Sequence, residues 1–139
     1  MAMTIDVERL GGNPPVTVVA LIGELDASNY EQVIDLARSA YADGSRGLVL
    51  DLEQLTFMAS SGLFALHSAV RIMRGETSPD PEEGWGALHQ MAQDEAQASS
   101  VRLAAAQDPI AHVLERTGML RLFALDATRA EAVSALQGG

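Results

Sequence analysis

Hydrophobic and polar residues change their spacing several times along the chain, and each change predicts a new element. Apolar and polar residues alternate over Thr4–Leu10, whereas Val16–Ile22 is an almost unbroken run of β-branched and apolar residues. These patterns predict a half-exposed strand followed by a central strand. Because Gly11–Pro15 between them is a strong turn signal, we expect the two strands to form a hairpin.

After this hairpin the apolar spacing alternates between helical and strand-like. It predicts, in order, a helix over Tyr30–Tyr41, a strand over Gly47–Asp51, a helix over Gly62–Arg74, a strand over Ser99–Ala105, a helix over Ile110–Thr117, an edge strand over Leu120–Leu125 and a helix over Ala127–Leu136. This order is typical of an α/β fold with parallel pairing. We therefore expect a single domain over residues 1–139, with a mixed sheet of about five strands, about four helices, and Leu50, Leu66 and Val113 in the core.

Polar residues beside the predicted helices match capping patterns. Ser28 and Glu31 have the spacing of a capping box before the first helix. Asp108 followed by Pro109 is typical of a helix N-terminus, and Asp126 precedes the last predicted helix. We expect Ser28, Asp108 and Asp126 to accept hydrogen bonds from first-turn N–H groups.

Residues 75–97 interrupt the alternation of strands and helices. The segment has six acidic residues and no basic one, so it carries −6 of the net charge of −10. Its first half is rich in glycine and proline, which predicts a mobile loop, whereas residues 87–97 are compatible with a helix. Trp85 either anchors a partner or packs on the core, and the sequence favours neither interpretation.

Composition narrows the classes of function. The chain has no cysteine, which excludes disulfides and thiolate chemistry. No apolar run approaches the roughly 20 residues of a membrane helix, so we expect a soluble, cytoplasmic protein without membrane insertion. All nine basic residues are arginines and they do not cluster, which argues against binding of nucleic acid. An acidic chain suits a protein partner with basic patches, but the same negative charge equally well serves only to keep the protein soluble.

The stretch Asp51–Leu63 joins a predicted strand to a predicted helix and contains Ser60 and Ser61. The first turn of a helix has free N–H groups and the positive end of the helix dipole, which favour a phosphate. Two interpretations follow: a serine here merely caps the helix, or it acquires about two negative charges and acts as a switch. Glu24 and Asp26 follow a neighbouring predicted strand, so we expect their carboxylates beside Ser60, where they would repel a phosphate.

Patterns that would indicate catalysis are weak. The histidines lie in three separate predicted elements: His67, His89 and His112. None has a partner at metal-ligand spacing, and neither a Gly-x-Ser-x-Gly elbow nor a lysine-containing phosphate loop is present. Glu24 and Asp26 are better interpreted as turn residues than as an acid–base pair, and Asp51 is expected to accept hydrogen bonds from loop N–H groups. We therefore predict no enzyme, no metal and no cofactor.

Three stretches taken together resemble the STAS domain family, the fold shared by bacterial anti-sigma factor antagonists and the cytoplasmic tails of sulphate transporters. Val16–Asp26 is similar to the family's second strand and its Gly-x-Leu-Asp turn. Leu48–Asp51 followed by Phe57–Leu63 is similar to its signature loop, and Pro109–Phe123 to its third helix and last strand. The resemblance spans nearly the whole chain outside residues 75–97 and implies a STAS-type mixed sheet.

The resemblance also implies a regulatory role for the serine loop. In anti-sigma factor antagonists of the family, the first serine of an Asp-Ser-Ser/Thr-Gly loop is phosphorylated by a kinase that is also the anti-sigma factor, and phosphorylation ends the binding. By position Ser60 is the phosphoacceptor, while Ala59 replaces the usual aspartate. The residues implied to contact the partner are Glu24, Asp26, Ala59, Ser61 and Gly62.

Two other functions stay open. A scaffold component, or the STAS subunit of a lipid-transport complex, would use the same fold without a phosphoswitch, and both Ala59 and the acidic segment 75–97 favour that alternative. Some family members bind nucleotides, but the absence of lysine argues against that function here. The sequence also leaves open whether the protein forms a homodimer.

Overall fold

The computed structural model of the protein describes residues 3–75, 100–121 and 123–137. Their elements, in chain order, are β1 (Met3–Leu10), β2 (Val16–Leu25), α1 (Tyr30–Ala42), β3 (Gly47–Asp51), β4 (Leu55–Met58), α2 (Ser60–Met73), β5 (Val101–Ala104), α3 (Asp108–Arg116), a 3-10 turn (Met119–Arg121), β6 (Ala124–Asp126) and α4 (Arg129–Leu136). The acidic segment with Trp85 and the predicted helix 87–97 lies outside the described residues, apart from Gly75.

The strands form one mixed sheet in which β2 has the most neighbours. The order is β1-β2-β3-β5-β6, and β4 also pairs with β2. β1 runs antiparallel to β2, with Met3 opposite Gly23 and Leu10 opposite Val16. The other pairings are parallel. The predicted hairpin, the parallel pairing and the α/β fold class are therefore confirmed.

Strands β3 and β4 lie one after the other along the same edge of β2. β3 pairs with the Val16–Ala20 part of β2, and β4 pairs with its last residues, Gly23–Leu25. This sixth strand was not predicted. Only Leu55 and Met58 of its residues are buried, two exposed residues separate them, and the register shifts opposite them. A bulged strand of this kind has no period-two pattern to detect.

Side chains alternate between the two faces of the sheet, and each face carries its own core. Helices α1, α2 and α3 cover one face, over buried residues that include Leu21, Leu50 and Leu103. Helix α4 covers part of the other face, over Val18 and Val49. The fold is thus a sheet between a three-helix layer and a single helix.

Two of the three predicted core residues are confirmed. Leu50 and Leu66 are 1% and 0% exposed. Val113 is only partly buried, because its neighbours Ile110 and Leu114 take the inward positions of α3.

Polar side chains attach α4 to the sheet. The Arg129 guanidinium donates through Nε and Nη2 to Asp51 Oδ2, at 2.9 Å and 2.8 Å, and its Nη1 lies 3.3 Å from Glu8 Oε1. At the other end of α4, Gln137 Nε2 donates to two carbonyl groups of the β1–β2 turn. The prediction that Asp51 accepts from a loop N–H is also confirmed, because the Glu53 N–H donates to Asp51 Oδ1 at 3.1 Å.

The predicted caps of α1 and α3 are wrong. Asn29 rather than Ser28 occupies the N-cap position of α1, and the Asn29 side chain makes no capping hydrogen bond to the helix. Helix α3 already includes Asp108, so Gln107 occupies its N-cap position. In both helices the N-cap position lies one residue away from the predicted cap, although α1 starts at Tyr30 as predicted.

The predicted cap and start of α4 are also wrong. The helix begins at Arg129, and Thr128 caps it by accepting the Glu131 N–H at 3.1 Å. Asp126 instead lies in β6, where it accepts from Arg102 Nε at 2.7 Å. The Asp126 carboxylate, predicted to cap the helix, therefore pairs with Arg102 on β5 instead.

Two predicted strands are shorter in the structure. The strand predicted over Ser99–Ala105 is Val101–Ala104. The strand predicted over Leu120–Leu125 is shorter and shifted: Met119–Arg121 form a 3-10 turn, and among the described residues of this stretch Ala124–Asp126 pair with β5.

Replacing Leu66 with alanine is expected to lower the free energy of unfolding by about 2–5 kcal/mol, because it leaves a cavity in the main core. Chemical denaturation of wild type and variant measures the change. Val113→Ala is the matched control and should cost clearly less, because Val113 is only partly buried. Equal losses for the two variants would contradict the assignment of the inward faces of α2 and α3.

Candidate functional site

Helix α2 begins directly after β4, with only Ala59 between them. Ala59 occupies the N-cap position with φ −84° and ψ 173°, the extended conformation usual there. Its methyl group cannot accept a hydrogen bond, so the side chain at the N-cap position does not cap α2. The interpretation of Ser60 or Ser61 as the cap is therefore wrong, because both already lie in the first turn.

Gly62 allows the start of α2 to lie directly against the strand ends. A Cβ atom at this position would lie 2.7 Å from Met58 Cγ and 3.0 Å from Leu25 Cδ2. Both distances are shorter than ordinary van der Waals contact, so a larger residue would push the helix start away from β2 and β4. Gly62 is buried and thus supports the serine loop by packing.

The two serines of the loop differ in access. Ser60 is exposed. The Ser61 Oγ atom is buried and has no hydrogen-bond partner among the residues that the structure describes. Only Ser60 therefore presents its hydroxyl to a large partner.

Asn29 organises the loop that follows β2. Its side chain, in a residue only 5% exposed, accepts the Asp26 N–H at 2.9 Å and donates to the Glu24 carbonyl at 2.9 Å. The Asp26 carbonyl in turn accepts the N–H groups of Asn29 and Tyr30. Asn29 was not predicted as a site residue, although an asparagine just before a helical run is a residue type that commonly bonds to nearby backbone.

Ser28 holds the Asp26 carboxylate instead of capping α1. Its hydroxyl donates to Asp26 Oδ1 at 2.6 Å and its N–H donates to the same oxygen at 2.9 Å. These bonds lower the pKa of Asp26, and the hydroxyl bond has the larger effect. Since hydrogen bonds to a carboxylate favour its charged form, Asp26 is ionised at neutral pH.

The Asp26 loop and the Ser60 loop meet at the parallel pair of β2 and β4. Leu25 lies opposite Met58, and the Ala59 N–H donates to the Leu25 carbonyl at 2.9 Å. Asp26 directly follows β2 and Ser60 is the second residue after β4, so their predicted placement beyond neighbouring strand ends is confirmed. Glu24 was predicted in the same loop, but it lies within β2, opposite Phe57. The roles of these residues toward a partner stay predictions.

The chemistry available at this edge is that of an exposed hydroxyl at the start of a helix, with the Asp26 carboxylate in the adjoining loop. Such a hydroxyl can take up a phosphoryl group, and the surrounding charges make the loop sensitive to it. Within residues 3–75, 100–121 and 123–137, no three histidine, aspartate or glutamate side chains could share a metal ion. In the same residues no helix has the length and apolarity needed to cross a bilayer.

A mixed sheet with a serine loop at the start of its second helix defines a class of small α/β domains. The family model of the STAS domain matches residues 5–76, more than half of the chain, and this match includes every predicted site residue. The chain belongs to the STAS domain family.

Solved structures share the fold over nearly the whole chain. An anti-sigma factor antagonist from Mycobacterium paratuberculosis is 23% identical with a TM-score of 0.67, over 97% of this chain and 94% of that chain. The anti-sigma factor antagonist SpoIIAA in its unphosphorylated form is 22% identical with a TM-score of 0.57, over 99% and 100%. The Bacillus cell fate determinant SpoIIAA in its phosphorylated form is 22% identical with a TM-score of 0.56, over 94% and 97%. A search of curated protein sequences finds no match.

Replacing Ala59 with aspartate is expected to raise the free energy of unfolding by about 1 kcal/mol. The new carboxylate would accept a first-turn N–H and would lie at the positive end of the α2 dipole. Urea denaturation at pH 7 measures the change, and Ala59→Asn separates the hydrogen bond from the charge. If neither variant is more stable than wild type, the N-cap geometry described above is wrong.

Replacing Ser28 with alanine is expected to raise the pKa of Asp26 toward the ordinary carboxyl range, because the strongest hydrogen bond to the carboxylate is lost. Titration of the side-chain carbon of Asp26 by NMR measures the shift. A lowered folded-state pKa stabilises the fold above the unfolded-state pKa, and this contribution is lost as the pH falls through the folded-state value. The Ser28→Ala variant should therefore be less stable than wild type at neutral pH and equally stable in acid, where Asp26 is protonated in both. The control, Ser134→Ala on α4, should leave the pKa of Asp26 unchanged.

Proposed function

We propose that this protein is an anti-sigma factor antagonist that binds an anti-sigma factor with serine kinase activity and is released when Ser60 is phosphorylated. The single observation that carries the proposal is the exposed Ser60 in the first turn of α2, inside the part of the chain that matches the STAS family. On this proposal the protein is a binding module of the cytoplasm, without an enzymatic activity or a cofactor of its own.

Access supports Ser60 as the phosphoacceptor. A kinase must place the hydroxyl oxygen in line with the γ-phosphate of ATP, which requires a side chain that reaches out of the surface. Ser60 meets this requirement, whereas the Ser61 hydroxyl is buried. The loop therefore offers one acceptor to a kinase and keeps the second serine in the packing of the helix start.

The charges around Ser60 support release after phosphorylation. A phosphate adds about −1.5 to −2 charges at neutral pH. Asp26 is ionised and its loop adjoins that of Ser60, so the phosphate cannot fold over the end of β2 without repulsion. It would instead point toward the kinase, where the phosphates of the bound nucleotide repel it in turn. Phosphorylation would then weaken the complex without any change in the fold.

The comparisons are consistent with such a switch. SpoIIAA, an anti-sigma factor antagonist, has been solved in unphosphorylated and phosphorylated forms, and both forms share their fold with this chain. The alternative, a STAS scaffold or transport-complex subunit without phosphorylation, is favoured by Ala59. An alanine at the N-cap leaves α2 without the acidic cap that the family pattern would supply.

A phosphorylation experiment tests whether Ser60 is the phosphoacceptor. The purified protein is incubated with ATP and the anti-sigma factor kinase encoded nearest to its gene, and mass spectrometry maps the product. We expect phosphate on Ser60 in wild type and in Ser134→Ala, which removes an exposed serine of α4, and none in Ser60→Ala.

A binding experiment tests whether a negative charge at Ser60 weakens the complex with the kinase. In calorimetric titrations with the same kinase, Ser60→Ala should bind like wild type, and Ser60→Asp should bind at least about tenfold more weakly. An unmodified Ser60 together with unchanged binding of Ser60→Asp would contradict the proposal. Co-purification with a permease and its ATPase, rather than with a kinase, would support the alternative.

A further inference from the structure

The face of the sheet that carries α4 is only partly covered. Helix α4 packs over the first half of β2, at Val16 and Val18, and over Val49 of β3. The same face continues past Arg129 along the second half of β2 and along β4. Of the described residues on this continuation, Phe57 is 49% exposed, a large value for an aromatic side chain.

Strand alternation shows which side chains share this open face. Leu25 and Met58 lie opposite each other and are buried on the face of α1, α2 and α3. Their preceding neighbours, Glu24 and Phe57, also lie opposite each other and therefore point to the α4 face. Ile22, two residues before Glu24, shares that face and is only half-buried.

Carboxylates border this apolar surface. Asp6 lies opposite Ala20 in the β1–β2 pair, on the same face as Ile22 and Glu24, and is exposed. Neither Asp6 nor Glu24 has an ion-pair partner in the described parts of the chain. Other carboxylates of this face are paired, since Glu8 and Asp51 both bind Arg129. The open part of the face therefore combines an exposed aromatic ring with uncompensated negative charge.

We propose that this surface, formed by Phe57, Ile22, Glu24 and Asp6 and here named the Phe57 patch, is a docking surface for the protein partner. The partner would contribute an apolar recess for the Phe57 ring, bordered by arginine or lysine side chains. This inference rests on the proposed function and adds to it a second contact, outside the phosphorylated loop.

The charge of the Phe57 patch and its position beside Ser60 favour the protein partner as its occupant. Buried aromatic residues are the usual anchors of protein interfaces, and opposite charges at the rim speed association. Phe57 lies three residues before Ser60, on the strand that leads into α2, so one bound protein can cover both. The Phe57 patch would contribute binding affinity for the partner, and phosphorylation of Ser60 would reduce that affinity.

The test compares two exposed hydrophobic residues in calorimetric titrations with the anti-sigma factor kinase described above. Phe57→Ala should raise Kd at least about tenfold, as expected for the loss of an interface anchor. The matched control is Leu125→Ala, since Leu125 is 38% exposed and lies in β6 at the far edge of the sheet. It should change Kd by less than about twofold. Circular dichroism melting curves check that both variants are folded.

Charge variants give a second measurement that does not alter the apolar packing. Asp6→Asn combined with Glu24→Gln should slow association, and the association rate should depend less on salt than in wild type. Sedimentation velocity of the free protein identifies a different occupant. If wild type is a dimer that Phe57→Ala converts to a monomer, the patch belongs to a second copy and the proposal is wrong.

These outcomes separate the inference from the function on which it rests. If wild type binds the kinase and is phosphorylated on Ser60, but Phe57→Ala binds equally well, the docking surface is wrong and the proposed function stands. If Phe57→Ala loses binding while Ser60→Asp does not, the docking surface stands and the phosphoswitch is wrong. If wild type binds no such kinase, both are overturned.

Discussion

The close packing of the first turn of α2 against the paired ends of β2 and β4 is the constraint on which the rest of the site depends. Gly62 lets the helix backbone lie against Leu25 and Met58, and the Ala59 N–H is bonded to the Leu25 carbonyl. These contacts leave Ser60 as the first helical residue that reaches solvent. They also bring the loop after β2 beside Ser60. A charge added to Ser60 would therefore act on neighbouring groups, such as Asp26, whose positions the backbone contacts already fix.

The pairing of β2 with two consecutive strands explains why the proposed Phe57 patch adjoins this loop. β3 occupies the first half of the β2 edge and lies under α4, where Arg129 binds Asp51. β4 occupies the second half, beyond α4, so its outward side chain Phe57 stays half-exposed. The proposed switch and the proposed Phe57 patch both depend on this interrupted edge, one at the end of β4 and one on its face.

Sequence patterns predicted the elements whose signal is local and repeated. The hairpin, the buried β3 and the helical stripe with Leu66 all extend over enough residues for their period to be read. Strand β4 could not be predicted, because it is short, bulged and stabilised by pairing with a distant strand. Asn29 was missed for a related reason: its amide bonds to backbone groups of Glu24 and Asp26, and only the folded loop brings these together. The wrong caps show the same limit, since Asp126 binds Arg102 from another strand.

The sequence by itself determined the α/β class, the family resemblance and the identity of the serine loop, because these depend on the order and spacing of residues along the chain. Only the tertiary structure decided which serine is accessible, which residue occupies the N-cap of α2 and which aromatic residue remains exposed. These properties depend on contacts between segments far apart in the chain. Hydrophobic spacing tells which side of an element faces a core, but the extent to which a neighbour covers the other side is a property of the packed fold.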